Sequence, residues 1–543
     1  MYTMILADVL KRWQTLAGKQ ALLCTGTDEH GMKVQQAAAV EDVPPMQWCD
    51  ENAAKFMSLA EVSQIDFDRF IRTTDPDHID AVKHFWFLLE QGGHIYESKH
   101  EGWYCISDEC FYPESLIEKT QDPFTGEVFM ASSETGNKVE WTEEKNYHFR
   151  MTGLKDKLLK FYEENPEWIV PASRMNQVVD WVKNNLEDLS ISRPVKRLGW
   201  GISVPNDESQ TIYVWVDALI NYMTFAGFPN WAPGQSQQGG WPADVHVIGK
   251  DILRFHCVYW PALLLALDLP LPKKVLSHAH WTMDHRKMSK SIGNVVNPFS
   301  AIERFGLDAM RFYMIHDGGI SDDADYHNEI IVTRYKKNLQ GGVGNLLARI
   351  TRSKVWNLRE AVKAAHDGSN AALTDHPVME HCTKHIEFLE NLVPSVTQKM
   401  EKLNPSAALH EIMNAVAEVC LQYPSKTYAI TFRHQILTVS LQGNKFITNA
   451  APWDLVKGDD AQRQLGEKVI FLVGETLRMV GILLQPVMPD KATMLLDILE
   501  VSPEKRWLEN AKFNSDSEYG TSTSGMKGRF GDGTLFPPLA VEE

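Results

Sequence analysis

The sequence lacks long hydrophobic runs and has few cysteines. Its longest apolar candidate, PALLLALDLPL, is interrupted by Asp268 and Pro270, whereas a membrane-spanning helix needs about 18 or more consecutive apolar residues. We therefore expect no membrane span and no membrane partner. The seven cysteines are scattered and odd in number, which favours a reducing compartment over a disulfide-stabilised scaffold.

Positive charge is also scarce, because 54 Lys and Arg residues face 71 Asp and Glu residues and the net charge is −17. A protein that bound nucleic acid through charge alone would be basic, so any nucleic-acid partner must meet a local patch. The segment TRYKKNLQGGVGNLLARITRSK, at 333–354, has six Lys or Arg residues and no acid. Such a basic helix is usually a solvated face, but it is also the patch that a nucleic-acid partner would require.

The chain is long enough for roughly three or four domains, and its residue pattern changes twice. Residues 92–211 are rich in turns, charges and aromatic side chains, which indicates an inserted domain. Patterns of a strand followed by a helix return at 211–223 and 244–256. Beyond about residue 300, where Ser300 and Glu303 suggest a helix-capping box, long amphipathic segments replace the strands. Apolar spacing before the insertion predicts a helix at 2–16, a strand at 21–24 and helices near 31–40, 44–60 and 76–91.

These patterns predict an α/β fold: a Rossmann-type parallel sheet split by the inserted domain and followed by an all-α helical bundle. In open α/β sheets, ligands bind beyond the carboxyl ends of the strands. The segments that fall at such ends are TGTDEHG, VWVDALINY, GKDILRFH and the loop HRKMSKSIGN.

The loop HRKMSKSIGN, at 285–294, contains nothing that could build a core. Its two lysines, Lys287 and Lys290, are three residues apart among serines and a glycine. Lysine carries a compact charge on a flexible stem, which suits a movable clamp on polyphosphate. Two lysines at this spacing usually belong to a solvated basic turn. The whole pentapeptide KMSKS, between an α/β strand and a helical domain, is far more specific.

KMSKS is the signature loop of the class I aminoacyl-tRNA synthetases, and nearly all of residues 1–510 resemble the methionyl-tRNA synthetases. The resemblance rests on ordered motifs: LADVLKRW, TGTDEHG, EGWYC, DLSISR, YVWVDALINY, IGKDILRFH, KMSKS and APW. It implies a ligase that activates methionine with ATP, carried with Mg²⁺, and transfers it to tRNA(Met). In that reaction Lys287 and Lys290 would hold the phosphates, and Ser289 would also contact ATP.

The family resemblance gives the domains their expected roles. We expect a first half of the catalytic Rossmann domain at 1–91, a connective insertion at 92–211, a second catalytic half at 212–286, a KMSKS and stem-contact linker at 287–341, a helical anticodon-binding domain at 342–509 and a loop-like tail at 510–543.

A methionine pocket is implied within YVWVDALINY. Trp215, Ala218 and Tyr222 share one helical face, and aromatic rings pack well against a thioether sulfur. Spacing alone favours a core face. In the family, the matching positions line the methionine side-chain pocket together with Phe255 and His256.

Two further acids have roles implied by the resemblance. Asp28 in TGTDEHG would pair with the ammonium group of methionine, although an aspartate there could simply cap the next helix. Gly249 and Asp251, on either side of Lys250, would contact the adenosine of ATP. A helix N-cap is an almost equal alternative for Asp251.

The insertion contains Cys105 and Cys110 in CISDEC. Many relatives carry a zinc knuckle here, and structural zinc needs four ligands. The second pair would fall near SSETGN, which has no cysteine. We therefore expect no zinc and a knuckle held by packing.

For the helical domain, the resemblance assigns Asn345, Arg349 and Trp453 to the CAU anticodon. Asn345 and Arg349 are four residues apart on one helix face. Hydrogen bonding by Asn and Arg together with stacking on an aromatic ring is how single-stranded RNA is read. A lone tryptophan is otherwise usually a core residue.

The HIGH signature of class I synthetases is missing. In methionyl enzymes it immediately precedes the helix that continues as LADVLKRW, so we expect that the first strand of the sheet and both signature histidines are absent here. Their loss would remove most catalytic power and expose a sheet edge or core face. The start is then either misplaced at an internal methionine or that of a genuine short form; the intact remaining motifs favour the first.

Two alternatives stay open. A synthetase for another hydrophobic amino acid is opposed by the absence of a large inserted editing domain. A catalytically inactive tRNA-binding protein is favoured by the missing HIGH and opposed by the intact KMSKS and pocket. The bacterial-like layout and the lost zinc ligands resemble the mitochondrial form, so we expect the mitochondrial matrix, with the cytoplasm as the alternative, and a monomer.

Overall fold

The computed structural model describes residues 1–121, 126–231, 239–288, 293–367, 376–419, 450–520 and 534–539. The helices are α1 (Tyr2–Leu16), α2 (Met32–Val40), α3 (Pro45–Val62), α4 (Pro76–Gln91), α5 (Lys155–Glu164), α6 (Ala172–Asn185), α7 (Val214–Leu219), α8 (Asn221–Phe225), α9 (Trp260–Ala266), α10 (Pro298–Phe305), α11 (Leu307–Asp317), α12 (Asn328–Arg334), α13 (Asn345–Thr351), α14 (Leu358–His366), α15 (Pro377–Glu401), α16 (Pro405–Val419), α17 (Pro452–Leu455), α18 (Asp460–Leu484) and α19 (Pro489–Ile498). Within those ranges, no helix has the length and apolar character needed to cross a membrane.

The strands are mostly short. They are β1 (Cys24–Thr27), β2 (Arg69–Arg72), β3 (Ile95–Cys105), β4 (Cys110–Tyr112), β5 (Ile117–Gln121), β6 (Val128–Ser132), β7 (Glu140–Phe149), β8 (Ile169–Val170), β9 (Leu189–Ser190), β10 (Ser192–Pro194), β11 (Ser203–Val204), β12 (Asp207–Ile212), β13 (His246–Gly249), β14 (Val275–His278), β15 (Trp281–Met283), β16 (Arg286–Lys287) and β17 (Ala324–Asp325).

The α/β prediction is confirmed by two parallel sheets. β1 pairs with β2, and β13, β14 and β8 form a sheet in that order. The predicted helices at 2–16, 31–40, 44–60 and 76–91 correspond to α1–α4. The strand expected at 21–24 begins only at Cys24, because the backbone pairing starts where Cys24 lies opposite Arg69. The TGTDEHG loop therefore begins inside β1 and continues beyond its carboxyl end.

The segment between the two parallel sheets is largely antiparallel. β3 and β7 form a long ribbon that runs from the pair Ile95 and Phe149 to the pair Tyr104 and Glu140, with β4 on one side and β9 on the other. One hydrophobic core joins this segment to α4 and α9. The same core includes Phe255 and residues of α7, so the insertion packs against elements that carry expected pocket residues.

The C-terminal part is helical. α18 is almost wholly buried, and α14, α16, α17 and α19 pack against it. A π-helix, Tyr335–Gly344, connects α12 to α13. Residues 534–539 return to this region, where the Tyr335 hydroxyl donates to the Pro537 carbonyl at 2.6 Å.

The expected capping box at Ser300 is wrong. α10 begins at Pro298, and the Asn297 side chain accepts hydrogen bonds from the backbone N–H groups of Phe299 and Ser300 at 2.9 and 3.4 Å. The cap lies three residues earlier than expected because proline at the first helical position already fixes the helical φ.

A buried arginine joins the α/β part to the helical part. The Arg311 guanidinium is fully buried and donates to the carboxylate of Asp8 in α1 at 2.5 Å. It also donates to the carbonyls of Ser63, Pro486 and Val487 at 3.1, 3.0 and 2.9 Å. Three distant segments therefore share one charged group.

Candidate active site

The loop after β1 is fixed in place through Glu29. This carboxylate is 3% exposed and accepts from the Arg72 guanidinium at 2.7 and 3.0 Å. The hydroxyls of Thr27 and Thr74 donate to it at 2.7 and 2.6 Å. Because Glu29 is held by residues of both β1 and β2, its neighbour Asp28 has a defined position at the carboxyl ends of these strands.

The other neighbour of Asp28 is held by a buried carboxylate on α7. Asp217 is 1% exposed; one of its oxygens lies 2.6 Å from His30 Nδ1 and the other 2.8 Å from His78 Nε2. Burial opposes a charge on His30, but the hydrogen bond to Asp217 prevails and raises the pKa of His30. The same helix that carries Trp215 and Ala218 thus fixes the Asp28 loop.

The Asp28 side chain is exposed to solvent, although its carboxyl group has many protein atoms around it. Burial, followed by the nearby charge of Asp217, raises the pKa of the Asp28 carboxyl to about 8; His30 opposes this shift and Glu109 adds to it. A carboxyl group in this state gains strongly from a bound cation, because the cation replaces missing solvation and offsets the neighbouring negative charges.

The structure brings together the five residues of the expected pocket. The rings of Trp215 and Phe255 stack with centroids 3.7 Å apart and an interplanar angle of 4°. The Tyr222 hydroxyl lies 2.7 Å from His256 Nε2, and Ala218 is buried between the two aromatic positions of the α7–α8 segment. Stacked rings around one small residue form an apolar wall of the kind that accepts a thioether.

His256 is a neutral hydrogen-bonding group in this pocket. Burial lowers its pKa to about 4. Its Nδ1 lies 3.0 Å from the Ile252 carbonyl, so Nδ1 carries the proton and Nε2 accepts from the Tyr222 hydroxyl. The pair is satisfied internally and presents no charge to an apolar ligand.

The segment after β13 places polar groups beside the lysine loop. A side chain at Gly249 would put a Cβ 2.6 Å from the Asp251 carboxylate, so glycine permits this turn. The Asp251 carboxylate lies 3.1 Å from His280 Nε2. Burial opposes the charge of Asp251, but the hydrogen bond to His280 and the charges of His280 and Lys287 lower its pKa. Asp251 is therefore ionised close to Lys287.

Lys287 lies on β16, in a hairpin whose turn residues Asp284 and His285 both have positive φ. The Asp325 carboxylate anchors this hairpin by accepting from the Thr282 hydroxyl at 2.6 Å and from the His285 backbone N–H at 3.1 Å. The Lys287 side chain is exposed. Ser289 and Lys290 lie outside the described residues.

The two halves of the knuckle in the insertion are joined by hydrogen bonds to one carboxylate. Cys105 and Cys110 face each other across β3 and β4. The Asp108 carboxylate accepts from the side chains of Thr135 and Asn137 at 2.6 and 2.7 Å, where a second cysteine pair was considered. In the part of the chain that the structure describes, no three His, Cys, Asp or Glu residues are grouped as a metal site. The absence of zinc stays a prediction.

The three anticodon candidates lie on two helices. Asn345 and Arg349 are exposed on α13, and Trp453 on α17 is 37% exposed. Both helices pack against α18, which holds the three side chains on one scaffold. Exposure of all three fits contact with a partner better than a core role.

Comparisons with known proteins identify the family of this chain. A family model for class I tRNA synthetases of the methionine type matches residues 1–351, and one for the anticodon-binding domain of methionyl-tRNA ligase matches 400–520. The probable mitochondrial methionine–tRNA ligase of Neurospora crassa is 60% identical, over 100% of this chain and 83% of its own length. The mitochondrial methionine–tRNA ligase of Candida albicans is 37% identical, over 96% of this chain and 91% of its own length.

A solved structure is similar over almost the whole chain. The Mycobacterium tuberculosis methionyl-tRNA synthetase bound by methionyl-adenylate matches with a TM-score of 0.81 and 33% identity, over 99% of this chain and 96% of that one. The chain belongs to the methionyl-tRNA synthetase family. Methionyl-tRNA synthetases are ATP-dependent aminoacyl-tRNA ligases, and the expected methionine–tRNA ligase activity is confirmed at this level.

The sequence alone did not point to several groups that hold the loop around Asp28. Arg72 and Asp217 hold the residues on either side of Asp28, and their partners Glu29 and His30 are 43 and 187 positions away in the sequence. His78 in turn holds Asp217 from 139 positions away. Asp217 lies inside the motif YVWVDALINY, so a charged residue in an otherwise apolar run was the available signal. Nothing local marked Arg72 or His78.

Proposed function

We propose that the residues described above carry the two steps of methionine–tRNA ligation. In the first step the methionine carboxylate attacks the α-phosphorus of ATP; the bond to the bridging oxygen breaks, and pyrophosphate leaves with methionyl-adenylate formed. In the second step a hydroxyl of the terminal adenosine of tRNA(Met) attacks the methionyl carbonyl carbon, and AMP leaves. The neighbour bound by methionyl-adenylate supports this order of events.

Asp28 holds the ammonium group of methionine. The observation that carries this assignment is a solvent-accessible carboxyl group with a raised pKa, fixed beside an apolar pocket. Besides burial, the charges of Cys24 and Asp28 contribute to the raised pKa of the Tyr222 hydroxyl, so the acid and the pocket are neighbours. Trp215, Ala218 and Phe255 then contact the thioether side chain, with Tyr222 and His256 behind it.

Gly249, Asp251 and the lysine loop hold ATP. Gly249 permits close approach of the nucleotide to the turn, and ionised Asp251 suits a ribose hydroxyl. Lys287, Ser289 and Lys290 hold the phosphates, and Mg²⁺ enters with ATP as part of the substrate. The nearness of Lys287 to Asp251 supports one nucleotide site.

Asn345, Arg349 and Trp453 read the CAU anticodon of tRNA(Met). Their exposure on helices that share α18 supports a common contact with a single-stranded loop, in which Trp453 stacks on a base and the other two donate hydrogen bonds. We further propose that the chain works as a monomer in the mitochondrial matrix, with the domain boundaries given above except that β8, which pairs with β14, belongs to the catalytic part; the similarity to mitochondrial enzymes supports the location.

Two assays separate these assignments. Methionine-dependent ATP–pyrophosphate exchange measures the first step alone, and charging of tRNA(Met) measures both steps. We expect Asp28→Asn to raise the KM for methionine at least tenfold in the ATP–pyrophosphate exchange assay, the effect of losing an ion pair in a protein-lined site.

Trp453→Ala should leave ATP–pyrophosphate exchange unchanged and reduce kcat/KM for the charging of tRNA(Met) about tenfold or more.

The matched control is Trp507→Ala, another exposed tryptophan, which should change neither assay. Normal exchange with Asp28→Asn would remove the assignment of Asp28. Specific binding of tRNA(Met) without any exchange, both by this chain and by a chain extended upstream through the in-frame genomic sequence, would instead identify a tRNA-binding protein.

A further inference from the structure

The knuckle of the insertion consists of residues 104–112 together with 132–137, and we call these residues the bracket. Asp108 joins its two halves through Thr135 and Asn137, and it also accepts from the Tyr112 hydroxyl at 3.0 Å. Because these bonds converge on one carboxylate, the two residues that follow Asp108 are held in a fixed position relative to the insertion.

The first contact of the bracket with the catalytic part is made by Glu109. This side chain is 8% exposed and accepts from the backbone N–H of Lys33, in the first turn of α2, at 2.5 Å. Its second oxygen accepts from the Tyr104 hydroxyl at 2.9 Å. A Cβ at Gly31 would lie 2.9 Å from the same carboxylate. The acid therefore occupies the space that the missing side chain of Gly31 leaves.

The second contact of the bracket is made at Arg254, in the segment that carries two of the pocket residues. Its guanidinium donates to Cys110 Sγ and to the Glu134 carboxylate, both at 3.2 Å, and lies 4.8 Å from the centre of the Tyr112 ring. Arg254 directly precedes Phe255 and His256. The bracket thus touches both the Asp28 loop and the segment of the aromatic wall.

We propose that Glu109 is a positioning residue for methionine, through which the insertion holds the Asp28 loop in register with the side-chain pocket. The inference rests on the proposed role of Asp28. Glu109 fixes the first turn of α2, five residues beyond Asp28 in the chain, while Arg254 ties the segment of Phe255 and His256 to the same bracket. The distance between the site for the ammonium group and the site for the thioether is then set by the insertion.

If Glu109 acts by positioning, its effect depends on the length of its side chain. If Glu109 acts through its negative charge, the length matters less, so variants that change one property at a time separate the two roles. Glu109→Gln keeps an oxygen at the distance that Lys33 N–H requires, whereas Glu109→Asp keeps the charge but is one methylene too short. Glu109→Ala removes both properties. Glu118→Ala is the matched control, because Glu118 is an exposed acid on β5 of the same insertion.

The test is ATP–pyrophosphate exchange with KM for methionine, KM for ATP and kcat measured separately, beside the thermal melting of each variant. We expect Glu109→Asp and Glu109→Ala to raise the KM for methionine about tenfold, the scale of a lost hydrogen bond to a charged group. The KM for ATP should stay within about twofold, Glu109→Gln should stay within about threefold for methionine, and Glu118→Ala should match the unmodified chain.

Three results would overturn the inference. One is a methionine KM in Glu109→Asp equal to that of the unmodified chain while Glu109→Gln is impaired, since charge and not reach would then matter. Another is a parallel rise of both KM values, which indicates general loss of structure. The third is no effect in any Glu109 variant while Asp28→Asn raises the methionine KM; if Asp28→Asn has no effect either, the proposed role of Asp28 fails first.

Discussion

Burial among protein atoms, followed by the charge of Asp217, raises the pKa of the Asp28 carboxyl group to about 8. A protonated carboxyl group cannot form an ion pair with the ammonium group of methionine. Binding of methionine must therefore release a proton whenever the pH lies below that pKa. The residue couples substrate affinity to pH within the range in which the enzyme would be assayed.

We expect the KM for methionine in ATP–pyrophosphate exchange to rise as the pH is lowered below about 8, by a factor that approaches about tenfold per pH unit. The sign follows because the ionised form, which binds the ammonium group, is lost as pH falls through the raised pKa. The measurement is the methionine KM between about pH 6 and 8.5, with the KM for ATP as an internal control. A methionine KM that is flat over this range would contradict the raised pKa.

Some site residues could be predicted from the sequence because their spacing is local, and others could not because their partners are distant in the chain. Trp215, Ala218 and Tyr222 could be grouped because helical spacing and a family motif both place them together, and the structure does bring them together with Phe255 and His256. Glu109 was passed over, although its neighbours Cys105 and Cys110 were considered. Its partner is a backbone N–H 76 positions away, and a backbone donor leaves no trace in residue type.

At the scale of single elements, α10 shows that a helix start depends on the first residue able to supply an acceptor. Asn297 precedes Pro298 and caps the helix, whereas the pattern of Ser300 and Glu303 resembled a capping box inside what is already the first turn. The periodic helices α1–α4 were predicted closely, because their apolar stripes are long. Helix and strand ends were less certain because they depend on single hydrogen bonds.

Replacement of Asn297 by alanine should lower the free energy of unfolding by about 1 kcal/mol, the usual contribution of a helix N-cap. Ser300→Ala is the matched control and should change it by a few tenths at most, since only its backbone N–H is used by the cap. Thermal melting, together with hydrogen exchange of the α10 amides, measures both effects. Equal destabilisation by the two variants would show that Asn297 is not the cap.

At the scale of the whole molecule, the order of an α/β part, an insertion and a helical part could be predicted because hydrophobic periodicity changes where the architecture changes. The contacts between these parts could not, because they join residues hundreds of positions apart. Arg311 and Asp8 are the clearest case: both are fully buried, and Arg311 also binds the carbonyls of Pro486 and Val487.

Arg311→Met should destabilise the chain by about 2–3 kcal/mol, because the buried carboxylate of Asp8 loses one of its two guanidinium partners and keeps only Arg12. The variant Asp8→Asn combined with Arg311→Met should lose less than the sum of the two single changes. Arg463→Met is the control, since its ion pair with Asp460 is exposed and should contribute about 1 kcal/mol or less. The measurement is thermal melting of the four variants; additive effects would contradict direct coupling.

The shared arginine also has a consequence for the order in which the protein folds during its synthesis. Asp8 leaves the ribosome early, but its partner Arg311 lies 303 positions later and is itself completed only by carbonyls near residue 487. At about 5–20 residues per second, α1 waits roughly 15–60 s for that arginine. During this time Arg12 on the same helix can already pair with Asp8, but the apolar face of α1 is open to chaperones and proteases, so α1 reaches its final packing only after the helical part has been synthesised.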